Sequence, residues 1–256
     1  MKALILAAGE GVRLRPYTLD RPKCLVEFLR KPIINYIYDT LKVCKLEDII
    51  IVDGYKGDRL RDHFSGEKVK FYANENFDKS NMVTSLFCTS HELDDDIIIS
   101  YSDIIYNSKV LSKLIENKSD ISVVVDRGWL RLWNLRMENP LNDAETMKIN
   151  SDNNIIELGK KPKDLSEIQG QYIGLIKFSK KIIKDIVKFY NGLDRDAIYE
   201  GKSFNNMFMT SFLQLIIDRL MPVNAVFIDR GWIEIDSVED LKIYSQLPLE
   251  KLELGL

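Results

Sequence analysis

The 256-residue sequence predicts an α/β fold, a mostly parallel central sheet flanked by helices. Three observations carry this. Short continuous apolar runs at Leu4-Ile5-Leu6, Asp48 to Val52 and Asp96 to Tyr101 have the texture of strands covered on both faces. Segments of helical spacing lie between them. The first run discharges at once into the glycine turn Gly9-Glu10-Gly11, and in open α/β sheets ligands gather beyond the carboxyl ends of strands.

In chain order, the first strand runs into Gly9-Glu10-Gly11-Val12-Arg13 and on through Pro16 and Thr18 to Pro22-Lys23. Glycine lets backbone amides approach phosphate oxygens with no Cβ in the way, and Arg13 and Lys23 add full positive charge. Pro32 to Lys45 is a helix with proline near its start, where a helix tolerates it. The strand Asp48 to Val52 ends at Asp53-Gly54; Val69 to Tyr72 is a third strand, and a helix begins at Asn81 and runs to His91. Asp96 to Tyr101 carries Ser102-Asp103 at its end, so Gly9, Gly54 and Asp103 are expected to face one crevice. Ser119 to Asp126 is a fifth strand. Residues 127–178 then read as a hairpin-rich acceptor lobe within a single domain of residues 1–245, with strands at Ile155 to Leu158 and Gly170 to Phe178. Helices at about 179–191 and 203–220, a strand at 223–228, the run Trp232-Ile233-Glu234-Ile235-Asp236 and a helix starting near Ser237 complete it. The tail, residues 246–256, either packs on a partner subunit or frays, and fraying is the better reading.

With 29% charged residues and a net charge of -3, the chain lacks the basic excess of a general nucleic-acid binder, so phosphate affinity must come from a few placed cations. The three cysteines, Cys24, Cys44 and Cys88, form no CxxC pair and leave an odd count, which excludes a disulfide framework and a zinc site and fits a reducing cytoplasm. The apolar start ends at Gly9, too short for a signal peptide, and no run approaches membrane-spanning length.

The loop's spacing excludes two phosphate motifs. Leu14 stands where a dinucleotide fingerprint needs its third glycine, and Gly201-Lys202-Ser203 has Asp196 where a P-loop needs its first. The pattern that remains, GxGxR followed by PxT and PK, resembles the nucleotidyltransferases that activate sugar phosphates and phospho-alcohols. In that chemistry Arg13 suits the β and γ oxygens of a triphosphate and Lys23 the charge at the α-phosphoryl group. Asp103 and Asp236 would hold magnesium with waters and phosphate oxygens, Glu234 being the weaker candidate. Either aspartate alone reads equally well as a helix N-cap; together with the loop they read as a metal pair. His63 and His91 stand near no motif and read as structural.

Further matches refine the resemblance. Asn81 with Ser85-Leu86, Tyr101-Ser102-Asp103-Ile104-Ile105-Tyr106, the Trp129/Trp133/Arg136 cluster, Gly159-Lys160-Lys161, Gly170-Gln171-Tyr172-Ile173-Gly174 and Trp232 to Asp236 look like the cytidylyltransferases of phosphocholine, 2-aminoethylphosphonate and related amino-phosphates. Over about residues 1–245 the likeness is to the phosphoglutamine branch of that group, which serves capsular phosphoramidate synthesis. It implies a Rossmann-like nucleotidyltransferase fold, a magnesium cofactor, CTP as donor, and a phosphorylated amine-bearing acceptor such as L-glutamine phosphate. The nucleotide contacts it implies are Leu6, Ala7, Ala8, Gly9, Glu10, Gly11, Asn81, Ser85 and Ser102, with Arg13, Lys23 and Lys161 at the phosphates. Whether Lys160 or Lys161 is the equivalent lysine stays open. Metal would fall to Asp103 and Asp236, and the acceptor to Trp129, Trp133, Arg136, Tyr172 and Glu234. The two tryptophans read equally as an aromatic wall for an ammonium group and as core. A sugar-1-phosphate nucleotidyltransferase and a silent nucleotide-binding subunit are the competing readings; the first lacks a use for the tryptophans, the second for Lys23 and both aspartates. A homo-oligomer is left open.

Overall fold

Strand β1 at Lys2–Leu6, helix α1 at Ile33–Val43 and strand β2 at Asp48–Asp53 open a computed structural model that describes residues 1–255. Helix α2 (Gly57–His63) leads to β3 (Val69–Ala73), α3 (Met82–Phe87) to β4 (Ile97–Tyr101), and α4 (Ser108–Glu116) to β5 (Ile121–Asp126). After α5 (Trp129–Arg136) come β6 (Met147–Ile149), β7 (Asn154–Leu158) and β8 (Gln171–Phe178). Helices α6 (Ile183–Asn191) and α7 (Met209–Arg219) precede β9 (Val223–Ile228), and α8 (Val238–Gln246) and α9 (Leu249–Leu252) close the described chain.

The nine strands form one sheet in the order β3-β2-β1-β4-β8-β5-β9-β7-β6. The first four run parallel, β8 lies antiparallel between β4 and β5, and β9 runs parallel to β5. Successive side chains of a strand point to opposite faces, and β1 divides accordingly. Ala3 and Ile5 join the core under α1, α4 and α8, while Leu4 and Leu6 join the core under α3, α6 and α7. This is the expected α/β architecture, with helices on both faces of a mostly parallel sheet. Among the described residues no helix is long and apolar enough to cross a membrane.

The helix expected to run from Asn81 to His91 stops at Phe87 and is followed by a short turn at Ser90–Glu92. Helices α2 and α4 and strand β6 occupy stretches where the sequence reading places no element. The hairpin-rich segment begins instead with α5, whose Trp129, Leu132 and Trp133 are buried at helical spacing. Its last strand, β8, is no lobe hairpin but sits in the middle of the main sheet.

The tail is also corrected. Leu252 and Leu254 are buried against this same chain, and their carbonyl oxygens accept from Arg230 Nη2 at 3.1 Å and Asn107 Nδ2 at 2.6 Å. Two leucines with a place in the core and two paired carbonyls outweigh the entropy of a free end. Leu256 lies outside the described residues.

Asp126 closes β5 with its side chain fully buried. Its carboxylate accepts from the Gly128 and Arg230 backbone amides at 2.8 and 2.9 Å, from Trp232 Nε1 at 2.8 Å and from Arg230 Nη1 at 3.3 Å. Removing one partner of a buried ion pair strands the other, which costs roughly 3–5 kcal/mol. Asp126→Ala should therefore lower the unfolding free energy by about that much in urea titrations, and the double variant Asp126→Ala/Arg230→Met should recover part of it. A loss below about 1 kcal/mol in the single variant would show that the guanidinium finds other partners.

Candidate active site

The site grows from the loop between β1 and α1. Gly11 has φ 63°, the left-handed region, and a Cβ there would stand 2.7 Å from Lys23 Cβ, so only glycine lets the two strands of the loop lie side by side. Thr18, fully buried, donates from Oγ1 to the Gly11 carbonyl oxygen at 3.0 Å. Short turns at Val12–Leu14 and Lys23–Leu25 bury Leu14, Cys24 and Leu25, and these anchors aim Arg13 and Lys23 at the sheet's carboxyl edge.

The carboxylates arrive from the other side. Asp103 follows β4, and the segments Ile104–Tyr106 and Trp232–Glu234 pair antiparallel, Glu234 opposite Ile104. That pairing, extended by a bond from Ile235 N to the Asp103 carbonyl oxygen at 2.9 Å, carries Asp236 to Asp103. Lys23 Nζ lies 2.8 Å from Asp103 Oδ2 and 2.6 Å from Asp236 Oδ1, and Arg13 pairs with the other Asp236 oxygen. Burial works to discharge Lys23, but Asp103, Asp236 and Glu234 outweigh it and hold the ammonium charged, above its ordinary range.

Behind Asp236 stands a support. The Asp240 carboxylate accepts from the Asp236 and Ser237 amides at 3.0 and 2.9 Å and closes a capping box with Ser237 at the start of α8. Arg136, its side chain 4% exposed, grips Asp240 at 2.9 Å and Glu234 at 2.8 Å. Burial raises the Glu234 carboxyl to about 7, with Asp103 and Asp236 pushing the same way and Arg136 opposing.

Two cavities meet at this cluster. One of about 250 Å³ is lined by Leu6, Ala7, Ala8, Gly9, Gly11, Asn81, Ser85 and Ser102, together with Arg13, Lys23, Asp103 and Asp236. The other, of about 210 Å³, is lined by Trp133, Tyr172 and Glu234 and shares Arg13 and Asp236 with the first. Gly174 (φ 84°) belongs to its wall; a Cβ there would stand 2.5 Å from Tyr101 Cδ2, so glycine admits the Tyr101 ring.

Several expected residues lie elsewhere. Gly54 is packed beneath the loop, against Ala8 and Phe77, rather than in the crevice. Glu10 points to Arg15, 3.1 Å away, and lines neither cavity. Lys161 Nζ donates to the Leu141 and Asn142 carbonyls and stays outside both cavities, while Lys160 pairs with Glu157 at 2.8 Å. Trp129 is core, T-stacked on Trp133 at 5.7 Å, so the tryptophan pair divides: one packs, the other lines the second cavity. Arg136 supports from behind the wall and lines neither cavity.

The sequence reading missed Asn74 in the first cavity and Asp143, Glu145, Gln171, Phe208 and Trp232 in the second. Burial, with Asp143 and Glu200 adding to it, raises the Glu145 carboxyl to about 7. These residues sit on loops and strand ends with no spacing signature; Gln171 and Trp232 alone fell inside quoted motifs.

The aspartates suit a divalent cation. Asp103 Oδ1 is buried without a hydrogen-bond partner, a lone pair set aside for a ligand, and among the described residues no third carboxylate, histidine or cysteine completes a metal group. A hard cation that takes one or two carboxylates and finishes its shell with phosphate oxygens and water suits that donor set.

The chain has relatives among known proteins. Residues 3–150 match the MobA-like NTP transferase domain. The chain is 45% identical over 250 residues to the CTP:phosphoglutamine cytidylyltransferase of Campylobacter jejuni, covering 95% of this chain and 98% of that one. It is 31% identical over 132 residues to a UTP–glucose-1-phosphate uridylyltransferase of Haloferax volcanii, 49% of this chain and 54% of the relative. Among solved structures, the CTP:phosphocholine cytidylyltransferase of Streptococcus pneumoniae superposes with a TM-score of 0.72 at 22% identity, over 96% of this chain and 97% of that one. The chain belongs to the MobA-like NTP transferase family and is a nucleotidyltransferase.

Proposed function

We propose that the protein transfers CMP from CTP to the phosphate of an amine-bearing small molecule, L-glutamine phosphate, and releases pyrophosphate. The observation that carries this reading is the Arg13, Lys23, Asp103 and Asp236 cluster at the junction of two cavities, one glycine-lined and one acidic and aromatic. The similarity to the phosphoglutamine enzyme over nearly the whole chain supports the donor and the acceptor.

In the reaction an acceptor phosphate oxygen attacks the α-phosphorus, and the bond from that phosphorus to the oxygen bridging to the β-phosphate breaks, so that pyrophosphate leaves with the electron pair. Glutamine has no hydroxyl, so its phosphoryl group sits on nitrogen; the phosphoryl oxygens of such a group are anionic near neutrality and already nucleophilic, and no side chain has to take a proton. His63 bonds Asn35 and His91 packs on Tyr72, both away from the cavities, in keeping with this. Lys23 and Arg13 neutralise charge on the phosphates, and the rigid loop holds donor and acceptor in line. Asp103 and Asp236 would hold magnesium, which supplies Lewis-acid neutralisation of the α-phosphate.

The second cavity suits an ammonium group. Glu145 lines it with Glu234, which Arg136 already holds, beside the aromatic side chains of Trp133 and Tyr172, and acidic and aromatic groups together are a combination a neutral sugar would not use. The reading puts the enzyme in the cytoplasm and its product in surface-glycan modification, supported by its unpaired cysteines and by the resemblance to capsular enzymes.

Lys23→Met should cut pyrophosphate release from CTP by at least about 10²–10³-fold while the circular dichroism spectrum stays unchanged. A folded variant with wild-type turnover would remove Lys23 from the reaction. The Glu145 carboxyl, raised to about 7, is protonated below that pH and then attracts an ammonium less. The KM for the acceptor should therefore rise as pH falls from 8 to 6, by more than in Glu145→Gln, whose own KM should be uniformly high. Parallel profiles for the two proteins would exclude Glu145 as the amine's partner.

A further inference from the structure

We infer that the Gln171 amide sets the position of Glu145 in the second cavity by holding its backbone, and that it does so without touching the acceptor. The inference deepens the proposed reaction and rests on the acceptor's ammonium group lying beside Glu145. Gln171 and Glu145 both line that cavity, and Gln171 is 4% exposed.

Glu145 stands in an irregular stretch ahead of β6 and has no strand ladder of its own. Its neighbours bond elsewhere: the Asp143 and Ala144 N–H groups donate to the Pro140 carbonyl at 3.3 and 3.0 Å, and the Thr146 N–H to the Lys160 carbonyl at 2.8 Å. Among the described residues one side chain meets both backbone groups of Glu145. Its N–H donates to Gln171 Oε1 at 3.0 Å, and Gln171 Nε2 donates to its carbonyl at 2.6 Å. A backbone N–H can only donate, so the first contact fixes which end of the amide is oxygen. The second Nε2 hydrogen goes to the Gly170 carbonyl at 3.0 Å. Both amide hydrogens are therefore committed to backbone, and neither is left for a ligand in the cavity.

The holding residue is itself anchored. Gln171 opens β8 opposite Asp126, in the middle of the main sheet. A Cβ on Gly170 would stand 2.4 Å from Val125 Cγ1, so glycine lets the chain enter β8 close against β5. The Glu145 backbone is thus tied to a rigid strand although the residue lies in a loop. With N–H and carbonyl both held, the direction in which the Cα carries its side chain is fixed. A carboxylate placed in advance loses less freedom when it meets an ammonium group. Gln171 touches no reacting atom; it is a positioning residue that acts through Glu145.

The test is a double-mutant cycle on pyrophosphate release from CTP and L-glutamine phosphate, with kcat and the KM for each substrate read separately. Gln171→Met, of similar length but without the hydrogen bonds, should raise the acceptor KM about fivefold to tenfold, with kcat and the CTP KM shifted far less. In a Glu145→Gln background the same change should move the acceptor KM by less than about twofold, because the charge it positions is gone. A rise as large in that background as in the wild type would show Gln171 acting on its own, by contact with the acceptor or through the fold, and would overturn the inference. So would a Gln171→Met protein with the wild-type acceptor KM, or one that moves kcat and both KM values alike. Gln171→Asn, which keeps the amide but draws it back by one methylene, carries the same comparison if circular dichroism shows Gln171→Met unfolded. Failure of the amine reading looks different: Glu145→Gln alone then keeps the wild-type acceptor KM, and the inference falls with it.

Discussion

One ammonium group shared by two aspartates organises the centre of this protein. Lys23 sits within 2.8 Å of both Asp103 and Asp236, on side chains that are 11–17% exposed, and Arg13 holds the far side of Asp236. Two carboxylates held this close repel each other strongly in a half-buried setting unless a cation stands between them. The lysine supplies that charge. Were Asp103 and Asp236 to hold a divalent metal, that charge would stand between them in place of the ammonium, and Lys23 would be left for a phosphate oxygen. The loop after β1, the end of the neighbouring strand β4 and the Trp232–Glu234 segment are thus held together by the same charges that would engage the nucleotide.

The surrounding structure serves to keep that cluster in register. Gly11 lets Lys23 pass beside the loop, the short antiparallel pair at Ile104–Tyr106 and Trp232–Glu234 brings the aspartates together, and Asp240 with Arg136 steadies the backbone behind Asp236. The buried Asp126 carboxylate extends the same support, holding Arg230 and the Trp232 indole. Trp232 lies 6.2 Å from Trp133, so Leu252, whose carbonyl Arg230 holds, is linked through Asp126 and Trp232 to the wall of the second cavity.

Much of this was legible in the sequence, because β-branched runs ending at glycine or aspartate are readable one at a time. The loop from Leu6 to Lys23 and the aspartates at Asp103 and Asp236 were found from local pattern, and the structure brings them together. What escaped has physical reasons. Helix α4 has only three buried apolar residues, Val110, Leu111 and Leu114, and an Asn107 cap that reads as a loop residue. Helix α5 was hidden because tryptophan and arginine spacing was read as a binding motif, although Trp129, Leu132, Trp133 and Arg136 fall on one helical face. Asn74, Asp143 and Glu145 have no periodicity at all, and only the folded chain shows that they line cavities. The tail was misread because its alternating leucines and charges lack a sequence-local partner; Arg230 and Asn107, which hold it, are distant along the chain.

The most direct measurement is a crystal structure of the protein with CTP and manganese, using anomalous scattering to locate the metal. An anomalous peak bridging Asp103 and Asp236, with Lys23 Nζ turned to the α-phosphate and the triphosphate against Gly9 to Arg13, is the expected result. A metal bound elsewhere, with Lys23 still clamped between the two aspartates and the phosphates away from the glycine loop, would contradict it.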